Sequence, residues 1–419
     1  MTQFDDYSPS TIDDQHKASA PGIGGRLLVR MLRGIHHGRI LITLPSGKVI
    51  EKTGTFDGPD ARMVIHRWRM LPRLVFGGDI GFAESFMDGD WTSPDLTTLI
   101  RFAARNTEAL EREIRGNGIV RLLNRLRHRL RPNSRSGARR NIEAHYDLGN
   151  AFYSQWLDAS MQYSSAIYER DDDTLEIAEE RKLARIADLL GSKPGDRVLE
   201  IGCGWGALSR HLASVCGAEM TGITLSPSQL DWARRTIAEA GLGDKVDLRL
   251  QDYRDLDEQF DGIVSIEMFE AVGEEYWPAY FDTLKKSLKP GGKAVLQIIS
   301  IEEGRYENYR RDTDFIQKHV FPGGFLPSKT ALAEQVRRSG LSISKSEYFG
   351  LSYARTLRDW RLRFKARWNA IAPLGFDQRF HHLWDYYLSY CEAGFLEGSI
   401  DVGLYVLAHD DAAGGRSAP

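Results

Sequence analysis

Short apolar runs alternate with amphipathic stretches from about residue 181 to residue 410. Seven of the runs have the length and composition of buried strands, and the stretches between them repeat apolar residues at helical spacing. The predicted strands are 197–201, 219–224, 246–250, 262–266, 293–299, 342–349 and 401–409. The predicted helices are 207–215, 227–240, 275–288 and 329–339, with two more, 355–370 and 377–396, before the last strand. This order predicts an α/β fold with a seven-stranded, doubly wound and mainly parallel sheet.

The first third of the chain has a different pattern. Residues 38–54 alternate apolar and polar positions on both sides of Pro45-Ser46-Gly47, which predicts a β-hairpin. Residues 76–91 are interrupted by glycine and acidic residues, which indicates a loop around a short helix. Residues 97–130 predict one or two helices with a break at Gly116-Asn117-Gly118. We therefore predict a smaller N-terminal α+β domain.

Domain boundaries follow from changes in composition. The stretch from Arg131-Pro132 to Gly137 is typical of a linker, and both chain ends are polar. The predicted segments are a disordered N-terminus (1–22), an N-terminal α+β domain (23–131), a basic linker (132–140), the α/β domain (141–410) and a disordered tail (411–419).

Composition restricts the setting in which the protein works. The 419 residues are enough for about two or three domains. The first residues are polar and acidic, unlike a secretory signal, and no apolar run reaches the ~20 residues that span a bilayer. The three cysteines lack the spacing of a zinc site or a disulfide framework, so we predict no metal and a reducing, cytoplasmic environment. Any membrane association is then predicted to be peripheral.

Positive charge is concentrated between residues 114 and 142, where no acidic residue occurs. The arginines of this stretch are Arg115, Arg121, Arg125, Arg127, Arg129, Arg131, Arg135, Arg139 and Arg140. Such a block suits either a polyanionic partner or a solvated helix followed by a linker. Because no nucleic-acid reading module is recognisable, we predict an anionic membrane surface as the partner rather than nucleic acid.

A glycine loop predicts the cofactor. The first strand of the α/β domain runs into Gly202-x-Gly204-x-Gly206 and a helix follows, so the backbone can approach a ligand and the helix N–H groups can bind a carboxylate. The spacing differs from the G-x-G-x-x-G of dinucleotide-binding proteins. The next strand ends in the polar stretch 222–229, placed for a ribose, and the third ends in Asp252-Tyr253, suited to an adenine edge and face. The turn 289–293 is common in methyltransferase domains. Together these features predict a class I fold that binds S-adenosylmethionine.

Longer stretches resemble one family. The chain resembles the cyclopropane fatty acid synthases and related mycolic acid methyltransferases, closely over about residues 140–408 and loosely before them. The stretches that carry the resemblance are 145–168, 198–213, 221–229, 251–273, 318–328, 350–360 and 386–395. The resemblance implies methyl transfer to the double bond of an acyl chain of a membrane phospholipid, giving a cyclopropane fatty acid. It also implies that bicarbonate, bound by the protein, is the base that removes the proton.

The resemblance assigns roles to individual residues. The implied cofactor contacts are Tyr163, Ser164, Glu200, Gly202, Gly204, Trp205, Gly206, Thr224, Gln229, Asp252 and Tyr253. The implied bicarbonate site consists of Glu270, Tyr353 and the backbone N–H of Ile299. Cys391 matches a cysteine that is sometimes considered catalytic, although the chemistry does not require a covalent nucleophile and a buried small residue is the alternative.

Two residues depart from the family pattern. Ser165 and Gln297 stand where many members have cysteine and histidine. Both can still form hydrogen bonds to an anion, so we include them in the predicted catalytic set. The change leaves open a methyl- or methylene-branched product, a small-molecule methyltransferase, and a lipid-binding protein that has lost catalysis. The oligomeric state also stays open, with a homodimer among the alternatives.

Overall fold

The computed structural model describes residues 23–110 and 148–410. The arginine-rich stretch, the predicted linker and both predicted disordered ends lie outside the described residues.

A four-stranded sheet forms the N-terminal part. Helix α1 (Ile23–Leu32) precedes β1 (His37–Thr43), β2 (Val49–Thr53), β3 (Phe56–Ile65) and β4 (Trp91–Thr92), and the strand order is β2-β1-β3-β4. β1 and β2 pair antiparallel around Gly47, whose φ of 82° suits glycine, so the predicted hairpin is confirmed. The sequence did not predict β3, which pairs parallel with β1.

Residues 76–91 are mostly helical, whereas a loop around a short helix was predicted. Helix α2 (Met70–Met87) covers most of this stretch and is kinked at Gly78, where φ is 60°. Glycine at this position absorbs the change of direction, so the helix continues across residues that resemble a loop in the sequence. Helix α3 (Leu96–Arg105) follows, and the side chain of Asp95 caps it by accepting the N–H of Thr98 at 3.0 Å.

The second sheet has seven strands, as predicted. They are β5 (Arg197–Ile201), β6 (Glu219–Thr224), β7 (Val246–Leu250), β8 (Phe260–Ile266), β9 (Leu288–Ile301), β10 (Leu341–Tyr348) and β11 (Ile400–His409). Their order is β10-β11-β9-β8-β5-β6-β7, and β11 runs in the opposite direction to the other six. The order reverses at β5, which pairs with both β6 and β8. Ligands of open α/β sheets bind at such a point, beyond the carboxyl ends of the strands.

Helices cover both faces of this sheet. They are α4 (Asn150–Tyr153), α5 (Leu175–Leu190), α6 (Ala207–His211), α7 (Pro227–Glu239), α8 (Trp277–Ser287), α9 (Glu303–Tyr309), α10 (Phe315–His319), α11 (Lys329–Arg338), α12 (Gly350–Ala366), α13 (Trp368–Ile371) and α14 (Gln378–Leu396). The helix predicted over 207–215 is shorter, because a π-helical turn (Leu212–Cys216) follows α6. Among these helices and those of the N-terminal part, none is long and apolar enough to cross a bilayer.

One apolar core joins the N-terminal part to α12 and α14. It includes Ile42 and Phe86 from the N-terminal part, and Trp360 and Tyr386 from the two helices. Polar contacts reinforce this junction. Arg101 and Arg105 of α3 each bind the carboxylate of Glu397 at 2.6 Å, immediately after α14, and Thr97 donates to Glu392 at 2.7 Å. The N-terminal part is therefore held against α12 and α14, two of the helices that precede the last strand of the seven-stranded sheet.

Glu397→Ala should loosen this junction. Glu397 is largely buried and satisfies two arginines, and removal of a buried charged partner typically costs about 1–3 kcal/mol. A matched control is Glu334→Ala, which removes two exposed pairs within α11, where a change below about 1 kcal/mol is expected. Urea unfolding of both variants checks this. Equal losses of stability would mean that the Glu397 contacts do not hold the N-terminal part.

Candidate active site

The glycine loop between β5 and α6 leaves open space at the point where the strand order reverses. Gly202, Gly204 and Gly206 have φ values of 84°, 51° and 87°, which side chains with a Cβ rarely adopt. A Cβ on Gly204 would meet no protein atom within 4 Å, whereas one on Gly202 would contact Met268 at 2.9 Å. The loop therefore exposes its backbone beside free volume, as a bound S-adenosylmethionine requires.

The residues predicted for the ribose and the adenine lie at the ends of the next two strands. Thr224 donates to the side-chain oxygen of Gln229 at 3.0 Å, and both are buried. The carboxylate of Asp252 accepts two hydrogen bonds from Arg254, at 2.9 and 2.6 Å. The ring of Tyr253 packs edge-on against Tyr280. Because β5, β6 and β7 are adjacent and parallel, these residues share one edge of the sheet with the glycine loop.

Three other predicted cofactor residues have side chains that are engaged by the protein. Glu200 accepts a hydrogen bond from Ser209 of α6, and its burial raises its pKa to about 8. Trp205 donates from its indole N–H to Asn150 at 2.7 Å. Ser164 accepts from the ammonium of Lys182 at 2.7 Å. These contacts fix the loop and the stretch before α5, so the side chain of Glu200 supports the loop rather than opening toward a ligand.

A large cavity of about 2430 Å³ begins at the carboxyl end of β8 and extends into the N-terminal part. Its volume exceeds the roughly 300–1,000 Å³ of common small-molecule pockets. At one end it is lined by Tyr163, Glu267, Glu270, Ile299, Tyr353 and Cys391. At the other end it is lined by apolar residues of α1, α2 and the small sheet: Leu28, Ile40, Ile42, Met63, Leu71 and Leu74. The cavity thus joins a carboxylate pair to a largely apolar interior.

The carboxylate of Glu267 lies at the centre of the predicted catalytic residues. One oxygen accepts the backbone N–H of Ser165 at 2.8 Å and the amide N–H of Gln297 at 2.7 Å. The other accepts the hydroxyl of Tyr353 at 2.5 Å. Burial raises the pKa of Glu267, and these three donors oppose the rise because they favour the charged form. Ser165, Gln297 and Tyr353 therefore lie together, around a carboxylate that the sequence analysis did not name.

Glu270 lies beside this carboxylate in a different environment. One of its oxygens accepts the backbone N–H of Ile299 at 2.6 Å, which brings together two residues of the predicted anion site. Its other oxygen is buried and has no hydrogen-bond partner among the described residues. Burial and the neighbouring Glu267 raise the pKa of Glu270 to about 8. The three donors to Glu267 favour the charged form of that carboxylate, whereas the second oxygen of Glu270 has no such donor among the described residues, so the geometry favours the negative charge of the pair on Glu267.

The backbone of Glu267 is strained. Its φ is 49°, in the left-handed region that favours glycine, at a cost of about 1–2 kcal/mol for a residue with a Cβ. Residues held in such conformations occur preferentially at functional sites. A usable signal in the sequence was an acidic residue directly after a predicted buried strand, at the edge where ligands bind.

Cys391 and Tyr163 line the same cavity. Burial raises the pKa of the Cys391 thiol well above its usual range, so the thiolate form is disfavoured. The hydroxyl of Tyr163 lies 2.9 Å from that of Tyr387. Among the described residues, Tyr163 is the one predicted cofactor contact that lines the cavity, and it lies at the carboxylate end.

Comparisons with known proteins identify relatives over most of the chain. The family described as mycolic acid cyclopropane synthetase matches residues 133–404. The tuberculostearic acid methyltransferase UfaA1 of Mycobacterium tuberculosis is 39% identical over 378 residues, which cover 85% of this chain and 86% of that protein. The cyclopropane-fatty-acyl-phospholipid synthase of Escherichia coli is 36% identical over 358 residues, covering 83% of this chain and 87% of that protein.

A solved structure is similar to a smaller part of the chain. The crystal structure of the mycolic acid cyclopropane synthase CmaA1, complexed with SAH and CTAB, superposes with a TM-score of 0.61 at 30% identity. The match covers 64% of this chain and 97% of that one. The family match also begins at residue 133, after the four-stranded sheet. The two full-length relatives, by contrast, extend over more than four fifths of this chain.

Gly204→Val should abolish binding of S-adenosylmethionine, because the branched side chain would fill the open space beside the loop and cannot easily adopt its φ. Gly241→Val is a matched control. Gly241 also has a positive φ and open space, but it lies between α7 and β7, at the opposite edge of the sheet. Calorimetry on the folded variants measures both affinities. Unchanged affinity in Gly204→Val would place the cofactor elsewhere.

Cys391→Ala should retain turnover, because a thiol whose pKa is raised by burial is a poor nucleophile. In the native protein, Cys391 should also react more slowly with iodoacetamide than it does after unfolding, as measured by mass spectrometry of the labelled peptide. Loss of turnover at unchanged cofactor affinity would restore the catalytic role that the sequence suggested.

Proposed function

Because the chain belongs to the mycolic acid cyclopropane synthetase family of S-adenosylmethionine-dependent methyltransferases, we propose that it methylates the double bond of unsaturated acyl chains of membrane phospholipids. The observation that carries the proposal is the cavity, which joins the Glu267–Glu270 pair to an apolar interior in the N-terminal part. A small polar substrate has no use for such a volume, whereas a long acyl chain would bury its whole length there.

The N-terminal part supports a lipid substrate in a second way. The E. coli relative, whose name specifies fatty-acyl phospholipids, is similar over 83% of this chain. CmaA1 is similar over 64% of this chain, although nearly all of CmaA1 is matched. The apolar end of the cavity is built from α1, α2 and the four-stranded sheet. We therefore propose that the N-terminal part, which precedes the family match, holds part of the lipid.

The residues around the cavity fit the chemistry of an alkene. When bound, S-adenosylmethionine supplies an electrophilic methyl group. After methylation of one alkene carbon, the neighbouring carbon carries a positive charge. The faces of Tyr163 and Tyr353, which line the cavity, can stabilise such a charge by cation–π attraction. The chain's own task is then to hold the acyl chain and remove one proton.

Two products differ in the timing of proton loss. Immediate loss of a proton from the added methyl group lets its electron pair close a cyclopropane ring. If a hydride first shifts from the methylated carbon to the charged carbon, loss of the same kind of proton gives a methylene branch instead. Glu267 is stabilised by three donors, which makes it a weaker base and gives the shift more time. We therefore propose the methylene-branched chain as the main product, with the cyclopropane as the second candidate.

The similarity to relatives also bears on the choice of product. UfaA1, named for tuberculostearic acid, is similar over 85% of this chain at 39% identity, against 36% for the E. coli cyclopropane synthase. Conversion of a methylene branch into a saturated methyl branch requires a reductant, so a separate reduction would have to follow.

We also propose that the protein acts at the cytoplasmic face of the membrane as a peripheral protein. The arginine-rich stretch that would bind anionic lipids lies outside the described residues.

Expression in a host that contains monounsaturated phospholipids should yield new methylated fatty acids. The methylene-branched and cyclopropane products have the same mass, so NMR must separate alkene protons from ring protons. We expect mainly the methylene signal, and none in cells that express the Gly204→Val control. Cyclopropane as the sole product would reject the proposed timing. No new fatty acid from an enzyme that binds the cofactor would reject the lipid substrate.

A further inference from the structure

We propose that Glu267 is the catalytic base, and that its carboxylate occupies the place for which a free bicarbonate was expected. This inference rests on the proposed function, since it names the proton acceptor of that reaction. In the proton-transfer step, a C–H bond of the added methyl group breaks. Its electron pair forms the π bond of the methylene group after the hydride shift, or closes the cyclopropane ring if no shift has occurred. The proton goes to a carboxylate oxygen of Glu267.

The hydrogen-bond pattern carries the inference. Bicarbonate and a glutamate carboxylate both present a planar group with two acceptor oxygens. Of the donors expected for the anion, the Tyr353 hydroxyl and the Gln297 amide bind the side chain of Glu267. Ser165 binds it through its backbone N–H, while its hydroxyl donates to the carbonyl of Ala166. A bicarbonate on the same donors would overlap with this carboxylate. It would also add a second buried negative charge without additional partners, which is strongly unfavourable.

The remaining anion ligand points to the same conclusion. Ile299, expected to donate its N–H to the anion, donates to Glu270 at 2.6 Å. The donors of the predicted site are thus divided between two side chains of the protein itself. Both carboxylates line the cavity, so Glu267 faces the volume assigned to the acyl chain.

The conformation of Glu267 indicates that the arrangement has a function. Glycine would adopt a φ of 49° without strain and would leave a space bounded by the same donors. A strained, buried carboxylate at this position therefore has no evident benefit for folding. Its benefit is a base attached to the chain, which is present in every molecule without binding a second species.

The test compares wild type with Glu267→Gly and Glu267→Gln in buffer freed of carbon dioxide, with and without added bicarbonate. We expect wild-type turnover to be indifferent to bicarbonate. Glu267→Gly should lose about 100- to 10,000-fold, the usual contribution of a general base, and bicarbonate should restore activity by at least about tenfold. Glu267→Gln should be inactive and should not recover, because its amide still fills the pocket. Calorimetry with S-adenosylhomocysteine should give the same affinity for all three proteins.

A binding measurement makes the result independent of turnover. Labelled bicarbonate, observed by carbon-13 NMR, should bind Glu267→Gly and should not bind wild type or Glu267→Gln. Wild-type turnover that needs bicarbonate, bicarbonate binding to wild type, or full activity of Glu267→Gln would each overturn the inference. If wild type methylates no lipid although it binds S-adenosylhomocysteine, the proposed function fails, and the binding measurement still decides whether Glu267 fills the anion site.

Discussion

The burial of one negative charge constrains the whole active site. A carboxylate removed from water is stable only if its oxygens are satisfied, and the three donors to Glu267 come from distant parts of the chain. Ser165 precedes α5, Gln297 lies in β9 and Tyr353 lies in the first turns of α12. The central strands, the segment before α5 and the helices inserted before β11 must therefore all be in place before this charge can be buried.

The same helices connect the chemistry to the substrate. Tyr353 holds Glu267 from α12, and its ring packs on Phe395 of α14 at 4.5 Å between centroids. α14 in turn contacts α2 and α3, and Glu397 just beyond it binds Arg101 and Arg105. The apolar end of the cavity and the catalytic end are thus parts of one packed unit. A lipid held in the N-terminal part would be positioned relative to Glu267 through these contacts.

Features that depend on residues close together in the sequence could be predicted, and features that depend on residues far apart could not. The seven strands could be predicted because most of them are short runs with buried apolar residues, and the hairpin around Gly47 because its turn residues are adjacent. β3 was missed because its exposed start does not alternate clearly, and α2 because Gly78 resembles a helix terminator. The family resemblance led to Ser165, Gln297 and Tyr353. It could not lead to Glu267, whose role depends on a positive φ and on partners that are 30 to 102 positions away.

The central claim is that the protein's own carboxylate fills the anion site. A crystal structure of the complex with S-adenosylhomocysteine, grown in a high concentration of bicarbonate, tests this claim most directly. The account predicts that the Glu267 carboxylate will bind Tyr353, Gln297 and the N–H of Ser165, with no separate anion among them. A trigonal anion bound by these three donors, with the side chain of Glu267 turned away, would contradict it.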